Sequence, residues 1–201
     1  MRAYELLPLL SFVIQRGKCR TCEARIGARQ GGIEAVAALI GGLALWLSPD
    51  LGGLSGAFFG WLLLALLIFD AEHYWLPDVA TGLLAGTGLV FGVGDWQDRL
   101  IGLVAGFAAL ELIRRGYRAL RHREGMGGGD PKLLGAIGAW LGWLPLPFVV
   151  LGASLIGLAL VAIYMARGKP VSADLRLPFG ALLAASAFLF WSVLVRGLLP
   201  F

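Results

Sequence analysis

The 201-residue sequence predicts an all-α, polytopic membrane bundle of about seven transmembrane helices. Hydrophobic residues make up 58% of the chain and charged residues 15%, against about 45–50% and about 25% in soluble domains, and the mean hydropathy is +0.79. Apolar runs of span-like length recur along the chain, separated by short polar turns. Thirty glycines supply small surfaces on which helix backbones approach closely in lipid. The same composition excludes a disordered chain, and two cysteines exclude a disulfide scaffold.

The chain opens on a short apolar patch, 6–14, that contains Pro8 and runs into a basic, Cys-containing loop. No small-residue cleavage site follows, so it reads as an amphipathic segment at the membrane face and not as a signal peptide. Runs 32–47 and 51–69 are divided only by Ser48-Pro49-Asp50, whose proline and polar neighbours suit a tight turn, and form a helical hairpin. Run 79–93, the short turn Gly94-Asp95-Trp96-Gln97-Asp98 and run 100–113 form a second hairpin. Beyond a polar stretch, 114–130, come 133–144, the shortest span, and 148–166, divided by Pro145 and Pro147, and then 179–199. The expected division is a cytoplasmic or interfacial segment, 1–30, and a transmembrane domain, 31–201.

Lys and Arg set the orientation, because short cytoplasmic loops retain positive charge. Arg2, Arg16, Lys18, Arg20, Arg25 and Arg29 precede the first span. Arg114, Arg115, Arg118, Arg121, Arg123 and Lys132 follow the fourth, and Arg167, Lys169 and Arg176 follow the sixth. Even numbers of spans separate the clusters, so all three are expected on the cytoplasmic side. Only Arg99 and Arg196 fall outside. Topology and contact with anionic lipid account for the net charge of +4, which needs no nucleic acid.

Acidic residues are expensive at membrane depth, so those at span ends mark function. Asp70 ends one apolar run and opens a loop, 70–78, that holds Glu72 and Asp78 with no Lys or Arg; solvated acids at a helix end are the plainer alternative. Asp130 follows Gly127-Gly128-Gly129 directly before an apolar run, where it can also serve as an N-cap with Pro131 at the first helical position. No phosphate-binding Gly-x-x-x-x-Gly-Lys-Ser/Thr spacing occurs. Both aspartates lie at cytoplasmic ends of spans and can meet across the bundle. There, mutual repulsion and partial desolvation push the two ionisations apart, so that one carboxylate activates water while the other donates a proton. That is the chemistry of an aspartic peptidase, which needs no metal and no cofactor. Glu34 and Glu111, nearer span interiors, read as structural acids bonded to neighbouring helices. His73 and His122 read as hydrated loop residues, and Asp78 as the cap of the helix that begins at Val79.

The sequence resembles the type IV prepilin peptidases, intramembrane aspartic peptidases of the Gly-x-Gly-Asp kind. Asp70, Glu72, His73 and Leu76-Pro77-Asp78 resemble the first catalytic motif of the family. Gly125-Met126-Gly127-Gly128-Gly129-Asp130, then Lys132-Leu133-Leu134-Gly135-Ala136 and Gly138-Ala139-Trp140-Leu141-Gly142, resemble the second, with Pro131 as a departure. The resemblance implies Asp70 and Asp130 as the catalytic pair, with Glu72, Pro77, Asp78, Gly127, Gly129, Lys132 and Glu34 in support. It implies removal of the short basic leader of prepilins or pseudopilins, after a glycine, at the cytoplasmic face of the bacterial inner membrane. The acidic loop 70–78 is expected to attract the leader's Lys or Arg. Cys19 and Cys22 resemble the end of a cytoplasmic insert in which full-length members carry two Cys-x-x-Cys pairs. Half a tetrahedral site makes zinc unlikely, and a vestigial reduced thiol pair is the expectation. N-methylation with S-adenosylmethionine, associated with that insert, is doubtful on the same reading.

Glycines at 52, 56 and 60, at 102 and 106, and at 138 and 142 read as close helix packing. A transporter is a rival, but the internal repeats expected of one are not seen. A catalytically inactive pilus or secretion assembly factor is another, and the presence of both aspartates argues against it.

Overall fold

The computed structural model describes residues 27–122, 125–168 and 177–197. Among them the chain forms seven helices: α1 (Ala28–Leu47), α2 (Leu51–His73), α3 (Asp78–Phe91), α4 (Trp96–Arg121), α5 (Gly129–Leu141), α6 (Leu146–Ala166) and α7 (Phe179–Val195). Three of them, α1 from Arg29, α2 and α6, are long and apolar enough to cross a bilayer by themselves, and α3 and α7 are shorter apolar helices. The chain is a polytopic membrane bundle. The expected segment 1–30 falls, up to residue 26, outside the described residues, and with it Cys19 and Cys22; Arg123, Lys169 and Arg176 are also outside.

Asp50 turns the first hairpin. Its Oδ1 accepts the Gly52 and Gly53 amides at 2.8 and 3.3 Å and the Ser48 hydroxyl at 2.6 Å. Two of the free N–H groups that begin α2 are thereby satisfied. A Cβ at Gly53 would stand 1.8 Å from the Ser48 carbonyl oxygen, so the turn closes this tightly only with glycine there. Higher up, the Trp61 indole donates to the Ala37 carbonyl at 2.8 Å and ties α2 to α1.

At the centre lies α5. Eleven of its 13 residues are buried, and at about 20 Å it is shorter than the hydrocarbon layer. It packs against α3, α4, α6 and α7. Trp140, fully buried, stacks on Phe59 of α2 at 4.7 Å and donates its indole N–H to the Leu84 carbonyl of α3 at 2.8 Å. Against α4 the backbones themselves touch: a Cβ on Gly102 would lie 2.3 Å from the Gly138 oxygen, and one on Gly138 would lie 2.1 Å from the Gly102 oxygen. Gly56 abuts Trp191 and Gly60 abuts Phe188, both on α7. Two glycines of the expected packing set act otherwise. Gly52 sits in the Asp50 cap, and Gly142, at φ 79°, ends α5.

Boundaries shift where charge and helix coincide. The stretch 114–121, expected to be polar and outside a span, continues α4 by two turns. Arg114 and Arg115 reach back to Glu111 at i−3 and i−4, and apolar Tyr117 and Leu120 alternate with Arg118 and Arg121, a pattern that suits an amphipathic helix at an interface. Similarly, α5 begins at Gly129, four residues before the expected span, because Pro131 is acceptable in a first helical turn.

The arginines outside the basic clusters both have partners at the opposite end of the bundle. Arg99 donates to the carbonyls of Leu89 and Val90 at 3.2 Å and of Gly94 at 2.6 and 3.0 Å, closing the last turn of α3. The Arg196 guanidinium lies 4.5 Å from the centre of the Trp46 ring.

Candidate active site

Chain reversal after α2 builds the first half of the site. Tyr74 takes a left-handed conformation, φ 52°, and its N–H bonds the Asp70 carbonyl at 2.9 Å, ending the helix within one turn of Asp70. The reversal leaves Tyr74 and Trp75 exposed and turns Leu76 inward to 3% exposure. Pro77 then precedes the first residue of α3. The second half comes from the glycine-rich approach to α5: a Cβ at Gly129 would meet Leu76 Cβ at 2.9 Å, so the absence of a side chain lets this backbone lie directly on the reversal loop.

The two halves bring the aspartates together. Asp70 and Asp130 are 5% and 6% exposed, at the basic end of the bundle. A point at the Cβ position of Gly180, on α7, is 2.9 Å from Asp70 Oδ2 and 3.1 Å from Asp130 Oδ1. Their carboxyl groups therefore face one small space. Asp70 Oδ2 accepts the Ala181 N–H at 2.7 Å, and the Gly180 N–H also faces that carboxyl. Asp130 accepts a backbone hydrogen bond from Gly127.

The sequence does not single out the first residues of α7. Their signal is faint: Pro178-Phe179-Gly180 opens an apolar run whose start, by counting spans, lies at the same end as Asp70 and Asp130.

Residues 57–162 match the type IV leader peptidase family, and residues 1–48 match the bacterial peptidase A24 N-terminal domain. A prepilin leader peptidase/N-methyltransferase from Aeromonas hydrophila is 38% identical over 201 residues, covering 97% of this chain and 68% of that protein. The protein of that name from Pseudomonas aeruginosa is 35% identical over 98% of this chain and 68% of its own length. The one from Burkholderia pseudomallei is 39% identical over 92% and 61%. The chain belongs to the type IV leader peptidase family. No solved structure matches it.

In this leader peptidase family member the remaining motif residues surround the pair unequally. Asp78 does not cap α3: it is the first helical residue, and its carboxylate meets Lys132 Nζ at 2.6 Å. That ion pair joins the two motif segments across 54 residues of sequence. Nor does Asp130 cap α5. Gly128 occupies the cap position, which puts Asp130 in the first turn with its side chain inward. Glu72 pairs with Arg29 of α1, so two acids of the loop that lacks its own Lys or Arg are matched by bases from elsewhere in the chain. Glu34 is half-buried on α1, a little over one turn beyond Arg29. Glu111, expected to bond a neighbouring helix, pairs within its own: Arg114 grips it through two bonds of 2.8 Å and Arg115 through one of 2.7 Å. His73 is exposed beside Phe69, and His122 ends α4. Among the described residues, no group of three or more His, Cys, Asp or Glu is placed to hold a metal ion.

Proposed function

We propose that this protein is a membrane-embedded aspartic endopeptidase that removes the short basic leader of type IV prepilins or pseudopilins. Asp70 and Asp130 are the catalytic pair in this reading, and the observation that carries it is their convergence on one buried space from two different motif segments. Neighbouring carboxyl groups supply an acid and a base side by side, because like charges resist simultaneous ionisation. The ionised carboxylate takes a proton from water as its oxygen attacks the scissile carbonyl. The protonated partner then gives its proton to the departing nitrogen as the C–N bond breaks. The leader leaves with a new carboxyl terminus and the pilin with a new amino terminus, and no electrons are transferred to or from a cofactor.

Placement of the site follows the charge pattern. Arg29, Arg114, Arg115, Arg118, Arg121, Lys132 and Arg167 gather at the end of the bundle that holds the pair, which supports a site near the cytoplasmic face of the inner membrane. A substrate with an apolar helix after its leader would then lie in the bilayer beside the enzyme, with the scissile bond at the height of the two aspartates.

Mass spectrometry of a model prepilin, co-expressed with this protein or with its Asp70→Asn or Asp130→Asn variant, tests the reading. Leader removal is expected with the native chain, and a fall of about 100–10,000-fold in rate with either variant. An intact leader with the native chain, or undiminished cleavage by either variant, overturns it. The same spectra read the second activity in the relatives' names: a product one methyl group heavier would assign N-methylation to this chain.

A further inference from the structure

Asp70 is held by an element that neither motif contains. The Gly180 and Ala181 amides that face its carboxyl belong to the first turn of α7, where N–H groups have no acceptor within the helix. Pro178, at the cap position, makes no side-chain cap bond. A carboxylate from α2 thus does for α7 what a capping side chain ordinarily does, across 111 residues of sequence. Gly180 has a second aspect. A methyl group there would meet Asp70 Oδ2 at 2.9 Å, Leu76 Cδ1 at 3.0 Å and Asp130 Oδ1 at 3.1 Å, so it would fill the space both carboxyl groups face. Leu76 is buried, and both aspartates sit on helices of the packed core, so none of the three neighbours is a free surface chain that swings aside.

Resting on the peptidase reading, we propose that the first turn of α7 is the third wall of the active site. The amides of Gly180 and Ala181 position Asp70, and the missing side chain at Gly180 reserves the space between the carboxyl groups for the attacking water and the scissile peptide. Both are positioning residues. The chemistry stays with the aspartates, and α7 fixes where one of them points and how much room the pair encloses.

The test uses the full chain, purified into lipid nanodiscs, with a model prepilin and the variants Gly180→Ala, Ala181→Pro and Gly157→Ala. Proline is tolerated in a first helical turn, so Ala181→Pro removes the bond to Asp70 while leaving α7 able to form. Gly157→Ala is the packing control on the neighbouring helix, where a Cβ meets the flexible end of Leu182 at 2.9 Å. Gly180→Ala and Ala181→Pro are expected to lower kcat by about 100-fold with KM within about threefold of native, as misplacement of a reacting group does, while Gly157→Ala stays within about threefold in both. Ala181→Pro also displaces a limb of the pH–rate profile that Gly157→Ala leaves in place. Native kcat in Gly180→Ala, or native kcat and pH profile in Ala181→Pro, overturns the proposal alone; a native chain that leaves the leader intact overturns the peptidase reading and the proposal with it. Amide exchange covers variants that do not fold. The Ala181 amide is expected to exchange slowly in the native chain and faster in Asp70→Ala, and equal exchange in the two overturns the contact.

Discussion

Asp78 and Lys132 show how much a single pair of side chains can do without being buried. Their side chains are 72% and 46% exposed, so the 2.6 Å ion pair contributes about 0.2–1 kcal/mol to stability. Its value lies in placement: one partner opens α3 directly after the loop that turns Leu76 inward, and the other follows Asp130 by two residues on α5. Cleavage is expected to fall by similar factors in Asp78→Asn, Lys132→Met and the double variant, because each removes the same link. Factors that multiply in the double variant would show that the two residues act independently. The aspartates carry a prediction of their own. A pair that needs one carboxyl protonated and one ionised gives a rate that rises and then falls with pH, and initial rates of prepilin cleavage across the pH range check this. The sequence made both aspartates legible because charge at the end of an apolar run is rare. It also left a cap as an open role for Asp130 and the expected one for Asp78, and only the backbone shows that neither has it. One starts a helix with its side chain turned to a lysine, and the other sits in a first turn facing inward.

Glycine decides how the helices meet. Between α4 and α5 the backbones touch at Gly102 and Gly138, where a Cβ would stand 2.1 Å from a carbonyl oxygen that cannot swing aside. Gly138→Val is therefore expected to separate the two helices, with a loss of about 1–3 kcal/mol or more, read as lower accumulation and an earlier thermal transition in detergent. Gly86→Ala on α3, where a Cβ meets nothing, is expected to be neutral by the same measurements. The turn between α1 and α2 offers a pH-dependent check. The Ser48 hydroxyl, with the Gly53 and Gly52 amides, holds the Asp50 carboxyl below its ordinary range. A depressed folded-state pKa contributes stability above the unfolded value, and that contribution is lost as pH falls through the folded value. The difference in melting temperature between the native chain and Asp50→Ala is thus expected to be full near neutrality and to vanish in acid. Periodicity marked these elements well where they are apolar. It missed the last two turns of α4, because the hydropathy of a run does not register that Glu111 and the arginines after it can pair along a helix.

Among the described residues, the basic clusters and the site lie at one end. Arg99 and Arg196, which the basic clusters leave over, are at the other, each engaged with a helix end or a ring. With Cys19 and Cys22 replaced by serine, a cysteine introduced at Ser48 is expected to react with an impermeant maleimide added outside spheroplasts, and one at Arg121 only after permeabilisation. Labelling of both from one side would refute the topology. The all-helical class, the seven helices among the described residues, the hairpin turns and the two acidic candidates were determined by the sequence itself, because lipid demands long apolar runs and makes every charge within reach of them conspicuous. What tertiary structure alone decided is which residues adjoin the two aspartates. Leu76 and Gly129 adjoin only after the chain reverses at Tyr74, and the amides of Gly180 and Ala181 reach Asp70 only when α7 docks on α2. Backbone N–H groups exist at every residue other than proline and a glycine has no side chain to announce it, so neither has more than a faint signature in the sequence. Their role arises from where packing puts them.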